Sequence, residues 1–336
     1  MDDTQTYPSP PRLIPALVAG FDAIANRIFL ILFPIGLDMI LWFAPHLRIK
    51  KIIAVLISEM QIVAESAAPD LSEIFAASLE IWEQLAEQFN LLFYLRSYPV
   101  GVPSLMSSWL PLDTPLGTPV MIELPSFTAA LILMFVIGVI GLAFGSLYYA
   151  AVSQVAVHDR VDFRDVFVKW PGVFLQVVLL TLVWLLLFIG LSVPASCFIS
   201  LGTFMSGAAL GQIGFLVFGA LLIWLIFPLL FSPHGIFVNQ QRVLLSIRQG
   251  IRITNATLPT TGVFVLMAFL LSQGLDMLWK VTPENSWLTL IGIAGHAFVT
   301  TGILAASFVY YRDADRWVES MAKQFASSSS SRDSAA

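Results

Sequence analysis

Apolar residues in this chain gather in six blocks, at residues 28–44, 127–152, 173–193, 213–231, 263–278 and 288–311, with short polar joints everywhere except after the first. A helix of about 20 residues matches the thickness of a bilayer's hydrocarbon core. Each block is continuously apolar and shows no strict alternation, so each predicts a transmembrane helix, whose backbone groups are satisfied within the segment. The pattern therefore predicts an all-α integral membrane protein built as a six-helix transmembrane bundle.

Between the blocks the pattern changes period. Residues 13–26, 161–170 and 243–253 mix apolar residues and charges at helical spacing just before the first, third and fifth spans, which predicts amphipathic helices lying in the interface. Residues 46–125 hold nine acidic and four basic residues. Within them Ile52, Ile53, Leu56, Ile57, Met60 and Val63 share one face, and Leu71, Phe75, Trp82, Leu85, Phe89 and Leu92 another, with Asp70 and Glu73 spaced as a capping box. That reads as an extracytoplasmic helical hairpin with Glu80, Glu83 and Glu87 on its polar face, followed by a Pro-rich connector over 99–125. The expected organisation is thus a cytoplasmic N-terminus with an amphipathic helix (1–26), a first span (27–45), the acidic hairpin and connector (46–125), a five-helix region (126–311) and a cytoplasmic tail (312–336) whose serine-rich end, 326–336, is disordered.

Charge orients the bundle. With the N-terminus inside, the cytoplasmic segments hold 12 of the 17 basic residues, leaving Arg48, Lys50, Lys51, Arg96 and Lys280 outside. This predicts both termini in the cytoplasm of a bacterial inner-membrane protein. The cluster Arg48, Lys50, Lys51 runs against the rule, but it opens a segment long enough to weaken it. Composition agrees with the lipid assignment: 57% of residues are hydrophobic and only 12% charged. The start Met1-Asp2-Asp3 lacks an early positive charge, so no cleaved signal peptide is expected. A net charge of -5 argues against nucleic-acid binding, and the single cysteine, Cys197, excludes an internal disulfide or a multi-thiolate metal site.

The sequence Gly36-Leu37-Asp38-Met39-Ile40-Leu41-Trp42 is echoed by Gly274-Leu275-Asp276-Met277-Leu278-Trp279, late in the first and fifth spans. Either an internal duplication or the abundance of Leu and Met accounts for this. The stretch Ser246-Ile247-Arg248-Gln249-Gly250-Ile251-Arg252-Ile253-Thr254 resembles the basic amphipathic helix that precedes a span in bacterial membrane domains related to those fused to glycerophosphodiester phosphodiesterases. Arg248, Arg252 and Thr254 carry the match, and Gly250 and Ile251 depart from it. The resemblance covers residues 127–311 and implies a six-helix membrane domain. It implies no phosphodiesterase, because the soluble catalytic barrel and its His and Glu metal motif are absent.

Ionisable residues inside spans are costly and call for a partner or a cavity. Asp38, Asp276 and His296 qualify, and an outer polar vestibule lined by all three is the functional reading; interhelical hydrogen bonding is the plainer one. Arg160, Arg164, Lys169, Arg242, Arg248 and Arg252 are candidate contacts for anionic head groups, although topology retention explains the same charges. The spacings Gly141-x-x-x-Gly145 and Gly207-x-x-x-Gly211 suit close helix approach, while His158 and His234 read as solvated boundary residues. No Gly-x-Ser-Gly, His-Glu-x-x-His or phosphate-loop motif occurs. No catalytic residue, cofactor or metal is therefore assigned. The expected activity is a non-catalytic lipid-interacting or complex-assembly factor, with membrane lipids and other membrane proteins as partners. The alternative is a carrier for a small or lipid-like solute that uses Asp38, Asp276 and His296.

Overall fold

The computed structural model describes residues 10–65, 69–206 and 208–333, and these are almost wholly helical. In chain order the elements are α1 (Leu13–Ala25), α2 (Leu32–Phe43), β1 (His46–Arg48), α3 (Lys50–Glu65), α4 (Pro69–Gln88), α5 (Met106–Trp109), β2 (Met121–Glu123), α6 (Phe127–His158), α7 (Phe163–Ser206), α8 (Ala208–Leu229), α9 (His234–Val238), α10 (Val243–Ala256), α11 (Leu258–Trp279) and α12 (Thr289–Asp333). Five segments among the described residues are long and apolar enough to cross a membrane: α6, α7, α8 continued through α9, α11 and α12. A sixth crossing needs α1 and residues 28–43 to count as one span, and these two pieces meet at 90°.

The bend follows from local chemistry. Arg27 leaves the helical region, residues 28–31 form a 3₁₀ turn, and Pro34 lies where the first turn of α2 needs no backbone donor. The expectation that 13–26 forms a separate helix before the first span agrees with this break. However, α1 is covered along one face, while Ile14, Pro15, Val18, Ala19 and Asp22 leave the opposite face exposed. Ala16, Gly20, Ala23 and Ile24 are buried, and the helix packs along α12 with Phe21 against Phe298 at 5.8 Å. Gly20 and Gly302 permit the approach, because a Cβ at Gly20 would meet the Ala306 backbone and one at Gly302 the Phe21 ring.

The other joints depart from expectation in two places. Residues 163–206 are one helix, so the amphipathic stretch 161–170 and the third span are not separate elements. Pro171 and Pro194 lie inside it, each leaving one carbonyl without its donor. By contrast, Pro228 does mark an end: α8 stops at Leu229, and after a short turn Pro233 leads into α9. At the C-terminus α12 runs on to Asp333, through serines expected to be unstructured. Helix extension adds one bond per residue to a nucleus already fixed by tertiary burial. Residues 334–336, the capping-box side chains of Asp70 and Glu73, and Gly207 lie outside the described residues.

The core sits where α6 and α12 cross α1, α2, the start of α7, α9 and α10, with Tyr148, Phe308, Tyr310 and Tyr311 buried among alanines and valines. Tyr148 donates to Thr301 Oγ1 at 2.9 Å, and the Tyr310 hydroxyl lies 2.9 Å from Thr260 Oγ1 and 3.1 Å from Thr261 Oγ1, tying α12 to α6 and α11. The acidic hairpin is present as α3 packed on α4. At its base β1 and β2 pair in parallel, His46 opposite Met121 and Arg48 opposite Glu123, a feature that the apolar pattern does not foreshadow. Glu87 is no free solvated charge: Arg48 Nη2 contacts its carboxylate at 2.9 Å and Lys50 contacts the other oxygen. These two cations hold the Glu87 carboxyl below its ordinary range.

Candidate functional site

Residues 97–112 contain no Asp, Glu, Lys or Arg, and they do not stay on the surface as a connector. After a 3₁₀ turn at Leu91–Leu95, capped by Asn90 Oδ1 accepting from Leu92 N at 3.1 Å, the chain descends between α2 and α6. Val100, Val102, Ser104, Leu105 and Met106 are buried. The room comes from the two glycines of α6: a Cβ at Gly141 would strike the Leu95 carbonyl, and one at Gly145 the backbone of Val100 and Gly101. So the Gly-x-x-x-Gly spacing serves a loop and not a neighbouring helix. Gly145 lies about 27 Å along α6 from its first residue, past the middle of the helix. Irregular backbone at such depth is tolerated only where protein buries it or where it lines a cavity.

Asp38 fixes the bottom of this re-entrant loop. Its carboxylate accepts from Ser104 Oγ at 2.5 Å, Leu105 N at 3.1 Å and Met106 N at 3.0 Å, which caps the short helix α5 from another part of the chain. Asp38 is fully buried. Nearby, Asp276 Oδ1 and His296 Nδ1 lie 2.7 Å apart and join α11 to α12. His296 is close enough to Asp38 to interact with its charge. The three intramembrane candidates are thus brought together, but as packed structural polar groups. The expected shared vestibule is replaced by a loop anchor beside an interhelical clamp. Asp38 is consumed by N–H groups at the start of α5 that the helix cannot satisfy itself, supplied from more than 60 residues away, which is why its spacing gave no hint of the role.

The cavity lies on the other side of the loop. About 470 Å³ in volume, it is enclosed by Arg96 and the loop down to Pro103, Tyr149 of α6, the α8–α9 joint, the α11 face from Phe264 to Phe269, and Thr300, Ile303, Leu304 and Ser307 of α12. Two chain breaks meet there from opposite ends: the re-entrant loop and the turn between Leu229 and His234. Neither this cavity nor the apolar groove of similar volume between α2 and α6 has Asp38, Asp276 or His296 in its wall.

His234 is a buried wall residue, not a solvated boundary histidine. Its ring stands 4.7 Å from that of Phe308 and 5.5 Å from that of Tyr311. Ser307 Oγ donates to the Leu304 carbonyl at 2.7 Å, so it accepts from His234 Nε2 at 2.9 Å and leaves Nδ1 as a buried acceptor with no partner. Arg96 donates to Ser107 Oγ at 2.8 Å and sits 5.6 Å from the Tyr98 ring centroid. Among the described residues it has no ion-pair partner. From the sequence, His234 reads as a solvated boundary residue and Arg96 only as one of the basic residues outside; neither reads as a site residue. The available signal was an arginine followed by sixteen uncharged residues, a stretch too apolar for an exposed connector.

The basic candidates occupy the end of the bundle at the α6–α7 and α9–α10 joints. Arg160, Arg164, Lys169, Arg242, Arg248 and Arg252 are all exposed. Val243 N donates to Gln176 Oε1 at 2.9 Å, which sets the start of α10 beside the early turns of α7 and gathers these charges at one end. Lys169 pairs with Asp165 at 2.8 Å, and the other five have no ion pair among the described residues. No protein-family model, curated protein or solved structure matches the chain.

Proposed function

We propose that this is a multi-pass protein of the bacterial cytoplasmic membrane, with both termini inside, that binds a lipid-like amphiphile without transforming it. The observation that carries the reading is the cavity under the re-entrant loop. Its walls are mostly apolar, its few polar groups are placed at intervals, and it lies between helices that are themselves apolar outward, the usual make-up of a ligand pocket. Exposed Arg160, Arg164, Arg242, Arg248 and Arg252 support the same reading at the inner surface, where each cation is worth about 1 kcal/mol against an anionic leaflet. A six-span architecture like that of the glycerophosphodiester phosphodiesterase membrane domains is part of the proposal. The test is native mass spectrometry of the protein purified in mild detergent: one retained lipid per chain, in excess of that held by an unrelated membrane protein of similar span number, is expected. Equal retention by the two would remove the reading.

A carrier is the second reading, favoured by one feature, the meeting of a re-entrant loop and a helix break at one cavity, as in transporters with discontinuous helices. It requires that lipid or solute cross between leaflets. A fluorescent-lipid exchange assay in vesicles that shows no transfer above protein-free vesicles would leave binding alone.

A further inference from the structure

We infer that the cavity is a site for one anionic amphiphile, with the head group held by Arg96 and the chain leaving sideways between Tyr98 and Phe269. This rests on the amphiphile reading above and adds the charge of the ligand and the direction of entry. The guanidinium offers five N–H donors, of which the structure uses one, on Ser107. A cation bordering an apolar cavity with no carboxylate partner is costly, and a bound anion supplies what the chain does not. The Tyr98 ring under the guanidinium and the Ser107 bond orient it, so that little side-chain freedom is lost when an oxyanion pairs with it.

Two wall residues identify the opening. Tyr98 is 69% exposed and Phe269 58% exposed, yet both line the cavity, so the cavity reaches the surroundings between the loop and α11. On that side α11 presents Leu266, Phe269 and Leu270 outward, a surface suited to lipid. A volume of about 470 Å³ takes a head group and the first part of a chain, and the remainder of a chain has this lateral opening to pass through.

The full-length protein in detergent, titrated with dioleoyl phosphatidylglycerol, dioleoyl phosphatidylcholine and oleate, tests this by native mass spectrometry. One phosphatidylglycerol should bind about tenfold more tightly than phosphatidylcholine, the ratio expected for one charge-assisted hydrogen-bonded contact. Arg96→Gln should erase that preference, Arg96→Lys should keep most of it, and Ala268→Trp should fill the cavity and abolish the site for both lipids. Oleate that matches phosphatidylglycerol would assign recognition to net charge alone; oleate that fails would assign it to a phosphate head group that carries no cation of its own. Equal affinity for the two phospholipids, unchanged in Arg96→Gln, would overturn the anionic site and leave the general lipid reading standing. An absence of any lipid binding would remove both. Should Arg96→Gln not survive purification, Ala268→Trp keeps every charge in place and must still lose the phosphatidylglycerol site; retention there overturns the inference.

Discussion

From Thr181 to Pro228, along the α7–α8 arm, no described side chain is buried, whereas α12 buries Ala297, Thr301, Ala305, Ala306 and the run from Phe308 to Tyr311. The arm is the more hydrophobic of the two: no Asp, Glu, Lys or Arg occurs between Lys169 and Arg242. Hydropathy therefore does not sort buried from exposed here, because lipid is as apolar as leucine and gives no drive for helices to associate. What sorts them is small and hydroxylated residues. Around the loop, Gly141, Gly145, Ser146 and Thr301 let backbones approach or hand hydrogen bonds across. Along the arm, a Cβ at Gly190, Gly202 or Gly219 would meet nothing; Gly211 lies against Thr203 and Gly214 against Ile199, and further along Trp184, Leu187 and Leu191 face Leu222, Leu225 and Leu229.

The strongest way to break this contrast is to remove the anchor of the loop. Asp38→Ala strands two backbone N–H groups and the Ser104 hydroxyl in a buried place. Each buried donor left unsatisfied costs about 1–3 kcal/mol, so a large drop in thermal stability in detergent is expected, with new protease cleavage within residues 96–106. Asp38→Asn keeps one acceptor oxygen and should lose about half as much. An Asp38→Ala protein as stable as the parent would mean that the loop is held by apolar packing alone.

Next in size is Gly145→Val. Its side chain would collide with the backbone of Val100 and Gly101, and overpacking of this kind costs about 1–3 kcal/mol. The same change at Gly202 meets open space and should be silent. Thermal unfolding of the two variants side by side tests whether small residues mark burial: similar losses at both would erase the distinction.

These cases also show what the sequence could carry. The apolar blocks and the helical period located α6, α8, α11 and α12 and the α3–α4 hairpin, because span length and face periodicity are local properties. The re-entrant path of residues 91–106 was not legible. It is set by what is missing on α6, two side chains at Gly141 and Gly145, and by Asp38 more than 60 residues away, and neither leaves a periodic mark. Asp38, Asp276 and His296 were found because charge within a span is rare, yet their use as anchor and clamp depends on partners on other elements. Arg96 and His234 stood outside the assigned spans or at their edge, where a charge or an imidazole needs no explanation until the cavity between them is seen.

A smaller effect separates the regions by pH. His46 is buried with a free Nε2 and lies near Arg48; burial first, then that cation, lower its pKa below the ordinary value near 6.5. The unfolded chain then binds a proton that the folded chain resists, so stability falls as pH drops through the unfolded value, from about 7 toward 5. Glu87 acts in the same direction at lower pH: its depressed pKa contributes stability above the ordinary carboxylate value, lost as pH falls through the folded one. Hydrogen exchange of peptides over residues 46–52, corrected for intrinsic rate, should rise across the first window in the parent and stay flat in His46→Phe. The arm, which carries no titratable group between Thr181 and Pro228 other than the thiol of Cys197, should not respond. A parallel rise there would tie its stability to that of the β1–β2 pair and the α3–α4 hairpin.

The smallest expected effect bears hardest on the comparison. Phe198 is 76% exposed on the arm, and Phe198→Ala should alter unfolding in detergent by no more than about 0.5 kcal/mol, as for surface positions generally. Detergent or lipid chains take up the space of the removed ring, since no protein wall is there to hold a cavity open. A loss above about 1 kcal/mol, or an unfolding midpoint that rises with protein concentration, would mean that the arm is covered by a second chain in the native assembly. The two regions would then differ in which molecule buries them, and the exposed large apolar side chains of the arm would have to be read as the composition of an interface.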